Sequence, residues 1–194
     1  TISEAIADDV IVPLSYENRL ATLDLPDEAV PFLDEGFEEV TEDQEIFDVA
    51  RIQRKWKQLE AVGGLPARLR VVAKDIVAHY ERRIETLEGK AMIVGMSRRI
   101  CAELYREIVK LRPEWHSDKD EEGQIKVVIT GSASDEALIA QHVRSKARRA
   151  VIEKRFKEPI GEVERRNAEA GQQAEELGQP PPAPEVPLRL VIVR

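Results

Sequence analysis

No stretch of the 194-residue sequence approaches the ~20 consecutive apolar residues that cross a bilayer. No basic segment precedes an apolar one in the way a secretory leader requires. With a single cysteine, Cys101, no disulfide can close within the chain. These absences lead us to expect a cytoplasmic location, where thiols stay reduced. Chemical signatures are missing too. There is no G-x-x-x-x-G-K-S/T loop to cradle phosphates and no G-x-G-x-x-G after a strand. His79, His116 and His142 are scattered without metal-ligand spacing, and His142 reads as a plain surface residue. No Ser–His–Asp or Cys–His arrangement can be argued, and Cys101 falls on an apolar helix face as a packing residue.

Positive charge is nearly missing from one end. Residues 1–50 hold 15 Asp and Glu against one basic residue, Arg19, while the remainder holds 22 acidic and 28 basic residues. The overall charge of -8 therefore joins a strongly acidic segment to a mildly basic one. Between Asp27 and Asp48 there are ten acidic residues and no basic ones. Two readings of that run stay open: a solvated loop, or a segment that repels or positions nucleic acid.

What is present supports a packed core, with 42% hydrophobic residues, and heavily solvated helix faces, with 34% charged. Residues 1–25 suggest a short capped turn and two β-rich stretches, and residues 26–42 suggest irregular chain. Ile46, Val49, Ile52, Trp56 and Leu59 mark one helix face, closed by Gly63-Gly64. Leu69, Val72, Ile76, Tyr80, Ile84 and Leu87 mark a second, with Pro66 near its start and Gly89 past its end. "KAMIVG", "IKVVIT" and "LRLVIV" read as three buried strands. Between the first two lies a helix capped by Ser97 and stopped by Pro113. Between the last two, Asp135 is expected to cap a long helix running to about Lys157. Strand, helix, strand, helix, strand predicts an α/β fold with a parallel sheet and right-handed crossovers. Residues 158–187, with "QPPPAPEVP", read as a flexible insertion, although residues 162–177 have room for a polar helix.

In open parallel sheets, ligands meet the carboxyl ends of the strands. Here those ends are Gly95-Met96-Ser97-Arg98 and Thr130-Gly131-Ser132-Ala133-Ser134. Both combine small residues with hydroxyls, and both are expected to lead into a helix N-terminus, where backbone N–H groups favour anions. Two phosphate-sized sites, as on a nucleic-acid backbone, are one reading. Ser97 and Asp135 as helix caps, with Gly131 as a turn glycine, is the other. From Arg144 to Lys157 seven of fourteen residues are basic: Arg144, Lys146, Arg148, Arg149, Lys154, Arg155 and Lys157. Phosphate contacts by some of them make binding fall with salt, whereas a solvated helix face does not.

In order along the chain, "GKAMIVGMSRRICAELYREI", "KVVITGSASD", "VRSKARRAVIEKRFKEP" and "PLRLVIVR" resemble the second motor domain of the restriction subunit of type I restriction enzymes, a superfamily 2 helicase-like DNA translocase. The opening "TISEAIADDVIVPLSYENRLATLDL" resembles the crossing between that subunit's two motor domains. The resemblance implies a partial RecA-like fold in three parts. Residues 1–25 are the crossing, 26–89 an acidic loop and helical lead-in, and 90–194 the second motor domain. It implies that Gly95 to Arg98 match helicase motif IV, and that Thr130, Gly131 and Ser132 match a backbone-contacting turn. Arg148, Arg149 and Phe156 match the following helix, with Phe156 in the core, and Leu188 to Val193 match the strand entering motif V. Ser97, Arg98, Thr130, Gly131, Ser132, Arg148 and Arg149 are thereby expected to contact the DNA backbone. No catalytic residue and no metal ligand is expected within the chain.

The same resemblance implies a longer parent. Its nuclease domain, phosphate-binding loop and acidic metal-binding box would precede Thr1, and motifs V and VI would follow Arg194. ATP and Mg2+ would serve the parent, none bound by this chain alone. Partners would be double-stranded DNA and the modification and specificity subunits. Two alternatives stay open: the second motor domain of another superfamily 2 helicase or remodelling ATPase, and a non-catalytic interaction module.

Overall fold

The computed structural model describes residue 60 and residues 63–194. The expected strands and helix before residue 60, the acidic 27–48 run and the crossing segment lie outside these residues. The described chain runs α1 (Pro66–Thr86), β1 (Ala91–Val94), α2 (Arg98–Leu111), a 3-10 turn (Pro113–Trp115), β2 (Ile125–Val128), α3 (Ala137–Ala140), α4 (Lys146–Lys157), α5 (Ile160–Glu176) and β3 (Leu190–Val193). The three strands form one parallel sheet in the order β1-β3-β2, with Ile93 and Val127 both level with Ile192. This is a mixed α/β architecture consistent with a partial RecA-like fold.

The order explains where the helices lie. The crossover from β1 to β2 travels across the sheet one way, and the crossover from β2 to β3 travels back. Connections of one hand then place their helices on opposite faces. Side chains alternate along each strand accordingly. Leu190 and Ile192 point into a core shared with Leu69, Val77 and Tyr80 of α1 and Ile100, Leu104 and Ile108 of α2. Val191 and Val193 meet Ile152 and Phe156 of α4 on the other face. Phe156 is thus in the core, half-buried. At β1 only the first face is covered, since Met92 and Val94 remain exposed.

Pro66 opens α1 at a position where its missing N–H costs nothing. A bidentate Arg112–Glu81 pair, with distances of 2.6 and 2.7 Å, ties the end of α2 to α1. Trp115 packs edge-on to Tyr80 at 6.1 Å between ring centroids and is buried. It sits among Pro113, Glu114 and His116 and not on a periodic apolar face, so no sequence pattern marks it as core. Lys90, just before β1, donates to the carbonyls of Arg155, Phe156 and Glu158, so an ammonium group terminates α4 where the helix dipole is negative.

Two expectations need correction. The long helix from Asp135 is broken into α3 and α4. Ser145, not Asp135, caps the second piece, its Oγ accepting from Arg148 N at 3.3 Å. In the break, Val143 forms a parallel bridge with Ile129 and His142 is buried. In place of a loose insertion, residues 160–176 form a helix with Ile160, Val163 and Ala174 buried. The chain after it is held back by Asn167, which exchanges hydrogen bonds of 2.9 and 2.8 Å with the Glu185 backbone. The helix starts two residues before the expected 162, which brings Ile160 onto its apolar side.

Gly95 follows β1 because Cys101 leaves no room for a side chain: a Cβ there would lie 2.5 Å from Cys101 Sγ. Gly95→Ala is expected to destabilise by about 1–3 kcal/mol through overpacking. Cys101→Ala in the same chain should recover part of that loss. Urea midpoints that show no recovery in the double variant would refute the steric cause.

Candidate functional site

The rim at the carboxyl ends of the strands is built by the residues that follow β1 and β2. Ser97 is the N-cap of α2, its Oγ accepting from Ile100 N at 3.3 Å, so the capping reading of this residue holds. Arg98, the next residue, reaches across the end of β3. Its Nη1 donates to Thr130 O at 3.0 Å and to Asp135 Oδ2 at 2.7 Å. The turns after β1 and β2 are therefore linked by one guanidinium, although the strands themselves are not neighbours. Thr130, Gly131 and Ser132 are all exposed.

Asp135 proves to be an internal fastener rather than a helix cap. The same Oδ2 that takes Arg98 also accepts from Ser132 N at 2.6 Å, and the side chain is only 5% exposed. Gly131 has no need of a left-handed backbone. It is required because Val143 packs on its Cα, and a Cβ would stand 2.5 Å from Val143 Cγ1. The turn after β2 thus rests on the break between α3 and α4. What the rim offers an anion is the remaining Arg98 nitrogens, which make no hydrogen bond among the described residues, and the hydroxyls of Thr130, Ser132 and Ser134. No Ser132 N–H is left over, since Asp135 has taken it.

The cations between Arg144 and Lys157 divide by what they meet. The Arg144 side chain is largely shielded from solvent, donating from Nε to Asp120 Oδ1 at 2.5 Å and from Nη1 to Val127 O and His142 O. Arg148 Nε donates to the other oxygen of Asp120 at 2.5 Å, although the Arg148 side chain stays 56% exposed. Arg155 spends its guanidinium on the carbonyls of Asp120, Glu122, Gly123 and Val186. Arg149 is exposed and has no ion pair with a described residue. Among the described residues, no hydrogen bond or ion pair joins Arg148 or Arg149 to the rim turns.

These arginines converge on the loop between the 3-10 turn and β2, which the sequence presents only as a charged loop. Asp120 is 3% exposed. Burial pushes its carboxyl up, but hydrogen bonds from Arg144 and Arg148 outweigh that and hold it below the usual range. Lys126, in the middle of β2, is buried and donates to the carbonyls of Ser117 and Lys119. Burial, with Arg144 and Arg155 nearby, lowers its ammonium to about 8. His142 packs edge-on to Tyr105 at 4.9 Å between ring centroids, and its Nε2 is buried without a hydrogen-bond partner. Burial lowers His142 to about 4, and burial raises Tyr105 to about 12. Tyr105 Oη lies 2.6 Å from His116 Nδ1. His142 is therefore a buried residue and not the expected surface one, because the helix that would have exposed it is broken there. Among the described residues no group of three or more His, Cys, Asp or Glu is placed to hold a metal ion.

The chain is 38% identical over 159 residues to a protein named type I restriction enzyme HindI endonuclease subunit from Haemophilus influenzae, an alignment covering 81% of this chain and 14% of that protein. It belongs to the type I restriction endonuclease-subunit family. A protein named putative type I restriction enzyme MjaIXP endonuclease subunit, from Methanocaldococcus jannaschii, is 32% identical over 167 residues, covering 84% of this chain and 15% of that protein. The chain thus spans about one-seventh of the length of these relatives. No family profile and no solved structure matches it. No helix among the described residues of this family member is long and apolar enough to cross a membrane.

Proposed function

We propose that this chain is part of the second RecA-like motor domain of a type I restriction endonuclease subunit, and that its rim contacts the DNA backbone. The observation that carries this reading is the Arg98 bridge. One partly exposed guanidinium joins the turns after β1 and β2 where open parallel sheets receive their ligands. The names of the two relatives support a restriction complex acting on DNA. In this reading the parent couples ATP-driven translocation of double-stranded DNA to cleavage and works with modification and specificity subunits.

ATP and Mg2+ enter only through the rest of the parent. The residues here do not fit a nucleotide cradle: there is no phosphate-binding loop sequence, and the acidic side chains of the described rim are spent on Arg98 and Arg99. No step is routed through the nucleotide in this chain, and the isolated chain is expected to lack ATPase activity. The contribution of these residues is positional. Arg98 supplies charged N–H donors, its net charge offset by Asp135, and the hydroxyls of Thr130 and Ser132 supply neutral contacts that set register.

The test is duplex binding by the chain across a salt series. Affinity is expected to fall as salt rises. Arg98→Ala is expected to bind about tenfold more weakly, since it removes the donors and leaves the Asp135 carboxylate uncompensated beside the phosphate. If the intact chain shows no salt-dependent binding, or if the Arg98 variant matches it, the backbone-contact reading is lost.

A further inference from the structure

We propose that Asp135 is a positioning residue for DNA-backbone contact, holding Arg98 so that its free edge meets a phosphodiester. The inference rests on the backbone-contact reading above and assigns a role to an acidic residue where attraction to DNA alone would place none.

The geometry of the guanidinium carries the argument. Both acceptors, Thr130 O and Asp135 Oδ2, lie on Nη1. Nε and Nη2 make no hydrogen bond among the described residues, and together they form the edge whose two parallel N–H bonds match a pair of phosphate oxygens. The anchor is firm where it needs to be. Asp135 is 5% exposed against 24% for Arg98, and its Oδ2 is itself fixed by Ser132 N at 2.6 Å. A free arginine side chain must give up rotamer freedom to bind, whereas one already tethered at two points has less to give up. The tether also ties the turn after β2 to the turn after β1, so a strand of phosphates would meet both in fixed register.

The competing effect has the opposite sign. A carboxylate near a phosphodiester repels it, so a purely electrostatic account predicts tighter binding once Asp135 is removed. Asp135 lies 2.7 Å from a guanidinium and almost out of solvent, so Arg98 largely neutralises its field. Positioning should therefore prevail.

The experiment measures duplex binding across a salt series by the intact chain, Asp135→Ala, Asp135→Asn, Arg98→Ala and the Arg98→Ala/Asp135→Ala double variant. Asp135→Ala is expected to weaken binding about tenfold. Asp135→Asn, which keeps an oxygen acceptor, should lose less. In the Arg98→Ala background, removing Asp135 should leave affinity unchanged or raise it, because nothing remains to position and the carboxylate no longer has Arg98 to neutralise it. Binding by Asp135→Ala as tight as or tighter than the intact chain overturns the proposal. So does an equal loss with and without Arg98, which marks a structural role. If thermal unfolding shows that Asp135→Ala does not fold at the assay temperature, Asp135→Asn decides: weaker binding supports positioning, and unchanged or tighter binding overturns it. An intact chain that binds no DNA overturns the underlying reading and this inference together. A binding chain indifferent to Asp135 overturns only the inference.

Discussion

Asp120→Asn is expected to cost the fold about 3–5 kcal/mol, the range for removing one partner of a buried charge pair. The carboxylate is 3% exposed and receives Arg144 and Arg148 on separate oxygens. Arg148 is half in water and can turn away. Arg144 has a side chain only 7% exposed, so its charge would be left buried with carbonyl partners alone. The loss should lower the melting temperature by roughly 10 °C or more. A second variant separates charge from packing. Arg148→Ala removes the exposed partner and should cost far less, in the range of about 0–1 kcal/mol for a largely exposed ion pair. Thermal unfolding followed by circular dichroism checks both, and equal losses in the two variants would show that burial of Arg144 is not what matters. The pH dependence has a definite sign. The Asp120 carboxyl is held below its unfolded value, so its contribution is complete above the unfolded pKa and is lost as pH falls through the folded one.

That Asp120 matters could not be read from its neighbours. "SDKDEEG" carries five charges in seven residues, and such a stretch is ordinarily solvated. Its partners Arg144, Arg148 and Arg155 lie 24 to 35 residues further on, beyond any local window. Lys126 was hidden in the same way, a charge in a strand whose ammonium is satisfied by two carbonyls of the preceding loop. The strands themselves were legible because strands of a parallel sheet, covered on both faces at β2 and β3, read as near-continuous apolar runs. "MIV", "VV" and "LVIV" supply them. The rim turns were legible because small and hydroxyl residues follow those runs directly. The break at 141–145 was not legible. No proline or glycine interrupts it, and the tertiary bridge from Val143 to Ile129, with His142 beneath, joins the Ser145 cap in deciding against continuation. For the same reason Asp135 was read as a cap, although its real partner, Arg98, lies 37 residues earlier.

His142 gives the second large effect, and it appears on acidification. Its pKa in the folded chain is lowered to about 4 by burial, with Arg144, His116 and Lys126 adding repulsion. In the unfolded chain it returns to about 6.5. Above that value both states carry neutral imidazole, and the contribution to stability is complete. As pH falls below it, the unfolded state takes up a proton that the folded state refuses, so stability declines by about 1.4 kcal/mol per pH unit. The decline ends once the folded pKa is passed, for a total of about 3 kcal/mol. Most carboxylates titrate below this window, which makes the interval from pH 7.5 to 5.0 the informative one. Urea unfolding should show the intact chain losing about 2 kcal/mol across it. His142→Gln should show almost no change across the same interval, whatever its absolute stability. Equal stability of the intact chain at the two pH values would mean that this imidazole protonates freely and is not held in the core. The effect extends to the rim, because Val143, the next residue, packs on Gly131. Protonating His142 therefore loosens the support beneath the turn that carries Thr130 and Ser132, and the Arg98 bridge should open before the sheet does.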